Sequence, residues 1–106
     1  MTTEELNSQV FAACLHDTFT LFGPEGEPWP VELIDVSDLP SRPGNEQFSV
    51  LFRELEGRRA GQGTYTLEHQ RLGRIELFLV PIDAGKGVIA LEAAFNRFVP
   101  TPGPQA

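Results

Sequence analysis

One cysteine, Cys14, stands in a chain of 106 residues, so no internal disulfide can form and the fold must rest on packing. A lone thiol fits a reducing compartment. No apolar run approaches the roughly 18–20 residues that cross a bilayer. The opening MTTEELNSQV carries acids where a secretory leader needs a basic and then an apolar stretch. Positive charge is scarce too: eight Lys and Arg against fifteen Asp and Glu leave a formal charge of −7. A field of that sign repels phosphate backbones and anionic lipid heads and favours solubility. These absences predict a soluble, cytoplasmic protein with no membrane contact, and they disfavour nucleic acid. Arg53, Arg58, Arg59, Arg71 and Arg74 offer the material of a local basic patch, but Glu54, Glu56, Glu68 and Glu76 are interleaved with them.

What is present suits one small domain. Apolar residues make up 41% of the chain, and eight Phe supply bulk for a core. A chain of this size buries roughly 60–70% of its unfolded surface, enough for a core but not for a core plus a large enclosed cavity. The first segment reads as a helix. Thr2 and Glu5 have the spacing of a capping box, and Leu6, Val10, Ala13 and Cys14 form an apolar stripe widened by Phe11 and Leu15. The pattern predicts a helix end near Leu15 or His16, where TFTLF turns to β-formers.

Strand follows strand from there. Phe19–Phe22 stops at Gly23-Pro24. Trp29–Val36 alternates, with Val31, Leu33 and Asp35 on one face and Glu32, Ile34 and Val36 on the other. Phe48, Val50 and Phe52 line one side of a third strand. Thr64–His69 places Tyr65 and Leu67 together, and Gln70 to Gly73 reads as a hairpin connection with Gly73 free to take positive φ. Arg74–Ile82 is the strongest strand signal, with Ile75, Leu77 and Leu79 on one face and Phe78 and Val80 suggesting a partly covered second face. Val88–Phe95 also suits a helix, but pairing with the strand before it favours strand. The expected fold is mainly β: an N-terminal helix, then about six short antiparallel strands in a meander or small bent barrel with the helix plugging one end. A two-layer sandwich is the alternative. Residues 1–99 form the one expected domain, and 100–106, rich in proline, a disordered tail.

Reactive groups are few. His16-Asp17 is the only adjacent pair with general-base potential, and a helix C-terminus accounts equally for a histidine there. His69, closing a strand before a hairpin, reads as a structural hydrogen-bond donor. Two histidines and one cysteine lie far apart, without metal-ligand spacing, and Cys14 falls on the buried stripe as an inert core thiol. No catalytic, cofactor or metal residue is therefore expected. GRRAGQG (57–63) lacks the Lys-Ser/Thr of a phosphate loop and reads as a connector. Trp29, between two prolines, reads either as a partner surface or as a core residue capping the barrel. With Arg58, Arg59 and Arg71 it makes up the candidate partner surface.

Two stretches, FSVLFR (48–53) and GTYTLEHQRLGRIELFLVP (63–81), together with TFTL (18–21) and the Glu92–Asn96 E-x-x-F-N, resemble the core of an uncharacterised family of small bacterial proteins, a domain of unknown function. The resemblance spans nearly the whole chain apart from the tail. It implies a bacterial, standalone protein and supports the strand reading of 88–95. It also implies an assembly-accessory role beside phage-tail-like proteins, and it carries no catalytic residue. In physical terms the hairpin motif specifies fold: glycine to enter, alternating β-formers, then Leu72-Gly73 for the turn. The expected function is a non-enzymatic interaction module for a protein partner, favoured by the acidic surface and by exposed strand edges. An Sm-like nucleic-acid barrel, or a small-ligand carrier or enzyme using His16, Tyr65 or His69, are the alternatives.

Overall fold

The computed structural model describes residues 7–38, 45–57, 60–85 and 88–98. A short helix α1 (Ser8–Ala12) precedes six strands: β1 (Thr18–Phe22), β2 (Pro28–Asp38), β3 (Asn45–Glu54), β4 (Gly63–His69), β5 (Gly73–Asp83) and β6 (Ile89–Phe98). The strands close into an antiparallel barrel in the order β1-β2-β3-β6-β5-β4. Two three-strand meanders are thus joined at two seams, β3 with β6 and β1 with β4. The mainly β reading, the barrel and the strand assignment of 88–95 all hold.

Alternation explains the closure. Phe19 and Leu21, Val31 and Leu33, Phe48, Val50 and Phe52, Leu67, Ile75, Leu77 and Leu79, and Leu91 and Ala93 all face inward and are buried. Removing such side chains from water supplies most of the driving force. Two details of the pattern differ from expectation. Register shifts between Leu33 and Asp35, which brings Val36 opposite Val50 and returns it to the core side, away from Glu32. On β5, Leu79 is fully buried, but Phe78 points outward with 53% of its surface exposed. The second face of β5 is therefore not covered at Phe78.

Helix α1 is shorter than the sequence predicts and begins later. Asn7 caps it, its side chain accepting from the Val10 N–H at 2.9 Å. The expected capping pair, Thr2 and Glu5, and the residue Leu6 lie outside the described residues, as do Arg58, Arg59 and the 100–106 tail. The chain leaves the helix through tight turns, with Cys14 N bonded to Phe11 O at 2.8 Å, and His16 takes a φ of +71°, where a helix cannot continue. Of the stripe, Phe11 and Cys14 are buried, whereas Ala13 and Leu15 are exposed. Phe11 plugs the barrel against the rings of Phe48 (6.1 Å) and Phe95 (5.4 Å).

The barrel consequently has two unlike ends. At the helix end lie α1, the start of β1 and the β4–β5 turn. At the other end lie the β1–β2 turn, Trp29, and the connection from β3 to β4, which must cross the barrel mouth because those strands are not neighbours. Ala60 of that crossing is buried, and Gly61 O accepts from the Tyr65 hydroxyl at 2.7 Å. The described residues 60–62 of the glycine-rich segment thus belong to a crossover.

Candidate functional site

The densest polar cluster is at the helix end, where β1 pairs with β4. Thr20 faces Glu68 in that ladder, so Asp17, just before β1, arrives beside His69, the last residue of β4. His69 is 5% exposed, the only buried polar or charged residue among those described. Its ring lies 4.5 Å from that of Phe19 at an interplanar angle of 34°. Its Nδ1 accepts from two backbone groups, Arg71 N–H at 3.1 Å and Leu72 N–H at 3.2 Å. An Nδ1 that accepts twice carries no proton, so the proton of the neutral ring sits on Nε2 and is donated to Asp17 Oδ2 at 2.9 Å.

Arg71 completes the cluster. Its guanidinium donates to Asp17 Oδ2 at 3.3 Å, to Ala13 O at 3.1 Å, and approaches Cys14 Sγ at 3.7 Å. One side chain thus ties the β4–β5 turn to the exit of α1. The turn itself needs Gly73, whose φ of +72° suits glycine, and it drives Leu72 into the core. The hydrogen bond from His69, aided by Arg71 and opposed by desolvation, holds the Asp17 carboxyl below the usual carboxylate range. Burial pushes the Cys14 thiol up, with Arg71 opposing. An open cleft of about 340 Å³, lined by Asp17, Thr18, His69, Gln70 and Arg71, lies alongside.

The fold brings ligand atoms of Cys14, Asp17 and His69 within 4.8 Å of one another, a grouping that sequence spacing hides because the β1–β4 seam makes it. Three observations speak against a resident cation there. Nε2 is spent on Asp17. Moving its proton to Nδ1 to free Nε2 would set an N–H against the Arg71 and Leu72 amides. The Arg71 charge already lies against both the carboxylate and the sulfur. For the same reason His69 has no lone pair left to activate Cys14 as a nucleophile. The cluster is a latch: both ring nitrogens of His69 are engaged, Asp17 is held through Oδ2 and Arg71 through one guanidinium nitrogen.

The remaining candidates are dispersed. His16 does not pair with Asp17; its exposed ring lies 3.4 Å from Glu32, which also accepts from Arg53 at 2.7 Å. That Arg53 bond, with His16 adding to it, lowers the Glu32 pKa. Arg74 donates to Glu68 at 3.1 Å and lies 5.2 Å from the Phe22 ring. Arg53, Arg71 and Arg74 are therefore each paired with a carboxylate on different parts of the wall. Trp29 is 7% exposed and belongs to the core at the far end of the barrel, in line with the capping reading. Arg71 is bound into the latch. Arg58 and Arg59 lie outside the described residues. Among the described residues no helix is long and apolar enough to cross a membrane.

These features define a class: a small six-stranded antiparallel barrel, plugged by one helix and locked by a histidine-centred hairpin turn. The chain belongs to the family described as Domain of unknown function (DUF6916), whose model matches residues 6–95. No curated protein and no solved structure matches it.

Proposed function

We propose that this domain is a non-enzymatic interaction module, an adaptor or assembly accessory that docks on a larger bacterial protein in the cytoplasm. The observation that carries the reading is Phe78, a large aromatic side chain directed out of the barrel wall and 53% exposed. It does not stand alone. Val80 and Ile82 follow on the same outward side of β5, and Val88 (41%) and Ile89 (44%) are exposed where β6 begins. Apolar outward residues gathered on neighbouring strands cost solubility, and covering a ring such as Phe78 is worth on the order of 1–2 kcal/mol. The latch adds support, since its reactive groups are engaged in holding the fold. The hairpin resemblance extends the proposal to partners of the phage-tail-like kind.

The test is affinity co-purification of the tagged protein from its native host beside Phe78→Glu, with intact complexes weighed by mass spectrometry. A stoichiometric protein partner held by the natural sequence and lost by a Phe78→Glu variant of unchanged melting temperature supports the reading. A homo-oligomer without a partner, co-purifying nucleic acid, or a melting shift with a metabolite would overturn it in favour of a ring, an RNA binder or a ligand carrier.

A further inference from the structure

Barrel closure removes most free strand edges, and where it leaves one short the geometry is specific. The β1–β4 seam consists of three pairs: Thr20 with Glu68, Leu21 with Leu67, and Phe22 with Thr66. Strand β4 starts three residues earlier, and Gly63, Thr64 and Tyr65 pair with Leu79, Phe78 and Leu77 of β5 on one side only. On the other side β1 has ended, and the chain turns away at Gly23-Pro24 into the β1–β2 turn. Beyond the end of β1, beside this part of β4, lies a groove of about 510 Å³, lined by Phe22, Gly23, Pro24, Gly63, Thr64 and Tyr65.

We infer that this notch accepts an added strand: an extended segment of a partner protein, bearing Lys or Arg between apolar residues, pairs with the Gly63–Tyr65 edge of β4. This rests on the interaction-module reading and names the chemistry of its partner. Three residues of added strand span about 10 Å, and their main-chain bonds satisfy the open edge whatever the side chains are. Successive side chains of the added strand face opposite sides, so its apolar residues meet Tyr65 on the inward side and its Lys or Arg pass Phe22 and Glu76 on the outward side. The outward row then runs from the added strand through Thr64 to Phe78, its direct partner, so the notch is continuous with the exposed aromatic of the wall.

Charge selects the partner. Glu25 and Glu27 lie in the turn that rims the groove, and Glu76 is paired with Thr66 at its floor. Among the described residues none of the three has a cation within 4.0 Å, and Arg74 is paired with Glu68. A basic segment is attracted to that rim. A second copy of this chain, with its charge of −7, is repelled by it. Strand β6 starts beside Asp83 and ends beside Asn45, at the other end of the barrel.

The experiment titrates the full ¹⁵N-labelled chain with a synthetic hexapeptide of alternating valine and lysine. Two control peptides accompany it: the valine–glutamate counterpart, and the valine–lysine peptide N-methylated at alternate residues to remove N–H donors. Saturable amide shifts centred on Phe22 and Gly63–Tyr65 are expected, with affinity at least tenfold lower for both controls. Affinity for the unmodified peptide should fall severalfold in Glu25→Gln/Glu76→Gln and as salt rises. Absence of binding at millimolar peptide, shifts centred elsewhere, or equal binding of the N-methylated peptide overturns the notch. A partner still captured in co-purification would then leave the interaction-module reading standing, so the two failures are separable.

Discussion

The two ends of the barrel are closed by opposite means. At the helix end the bonds are directional: His69 holds two amides and a carboxylate, and Arg71 reaches the carbonyl of Ala13. At the far end closure is mainly by packing, with Trp29 beneath the β1–β2 turn and Ala60 of the crossover buried, beside one hydroxyl bond from Tyr65 to Gly61 O. The directional bonds at the helix end engage both ring nitrogens of His69. Packing satisfies side chains but not the backbone, and among the described residues the far end keeps a stretch of β4 that pairs with a neighbouring strand on one side only. A sheet closed by strands of unequal length must leave such a remainder somewhere. Here it falls where the rim is acidic.

If the far end rests on packing, apolar truncation there should be the most damaging change. Trp29→Ala is expected to cost about 3–5 kcal/mol, and Leu79→Ala, in the adjoining wall, about 2–5 kcal/mol. Urea unfolding measures both. A loss below about 1 kcal/mol at Trp29 would mean that the crossover, and not the indole, closes that mouth.

If the helix end rests on directional bonds, a change that preserves shape should still hurt it. His69→Phe keeps a ring against Phe19 but strips Arg71 N–H, Leu72 N–H and Asp17 of their partner. Leaving buried amides unpaired predicts a loss of about 2–3 kcal/mol. Amide exchange at Arg71 and Leu72 should quicken more than exchange at Gly63–Leu67. Uniform quickening along β4 would show that His69 acts through packing alone.

Periodicity made the walls legible. Phe48, Val50 and Phe52, and Ile75, Leu77 and Leu79, have their inward faces in their spacing, because a strand's side chains alternate whatever its neighbours do. The bulge after Leu33 and the outward turn of Phe78 were not legible. The first depends on register with β3, and the second on which β5 face the barrel happens to close over. The latch was half visible: the sequence marks His69 as a structural hydrogen-bonding residue, but not its partners. Asp17 and His69 are 52 positions apart, and only the β1–β4 seam unites them. His16, adjacent to Asp17, was the more obvious partner, yet its positive φ turns it toward Glu32. The short edge at Gly63–Tyr65 has no signal in sequence, since it is a difference between strand lengths.

Acid distinguishes the two ends more gently. The pKa of Asp17 is lowered in the folded chain, so its contribution to stability is fully present above the unfolded value of about 3.8 and is lost as pH falls through the lower folded value. Glu32, lowered by Arg53, behaves likewise from about 4.5 downward. The urea midpoint should therefore fall between pH 5 and pH 3, and Asp17→Asn should flatten part of that fall. An Asp17→Asn chain with the same acid slope as the natural one would remove Asp17 from the latch's energetics.

The smallest expected effect belongs to the residue with the largest proposed role. Phe78 shares its strand with Leu79, and the chain gives the two adjacent positions similar apolar side chains, but the barrel buries one and leaves the other 53% exposed. Phe78→Ala removes a ring that is already half in water and leaves no cavity, so the free protein should lose less than about 1 kcal/mol. That outcome would be in keeping with the proposed docking role of the exposed ring. A loss of 2 kcal/mol or more, on the scale of Leu79→Ala, would instead make Phe78 a support of the wall, and the argument that it faces a partner would lose its basis.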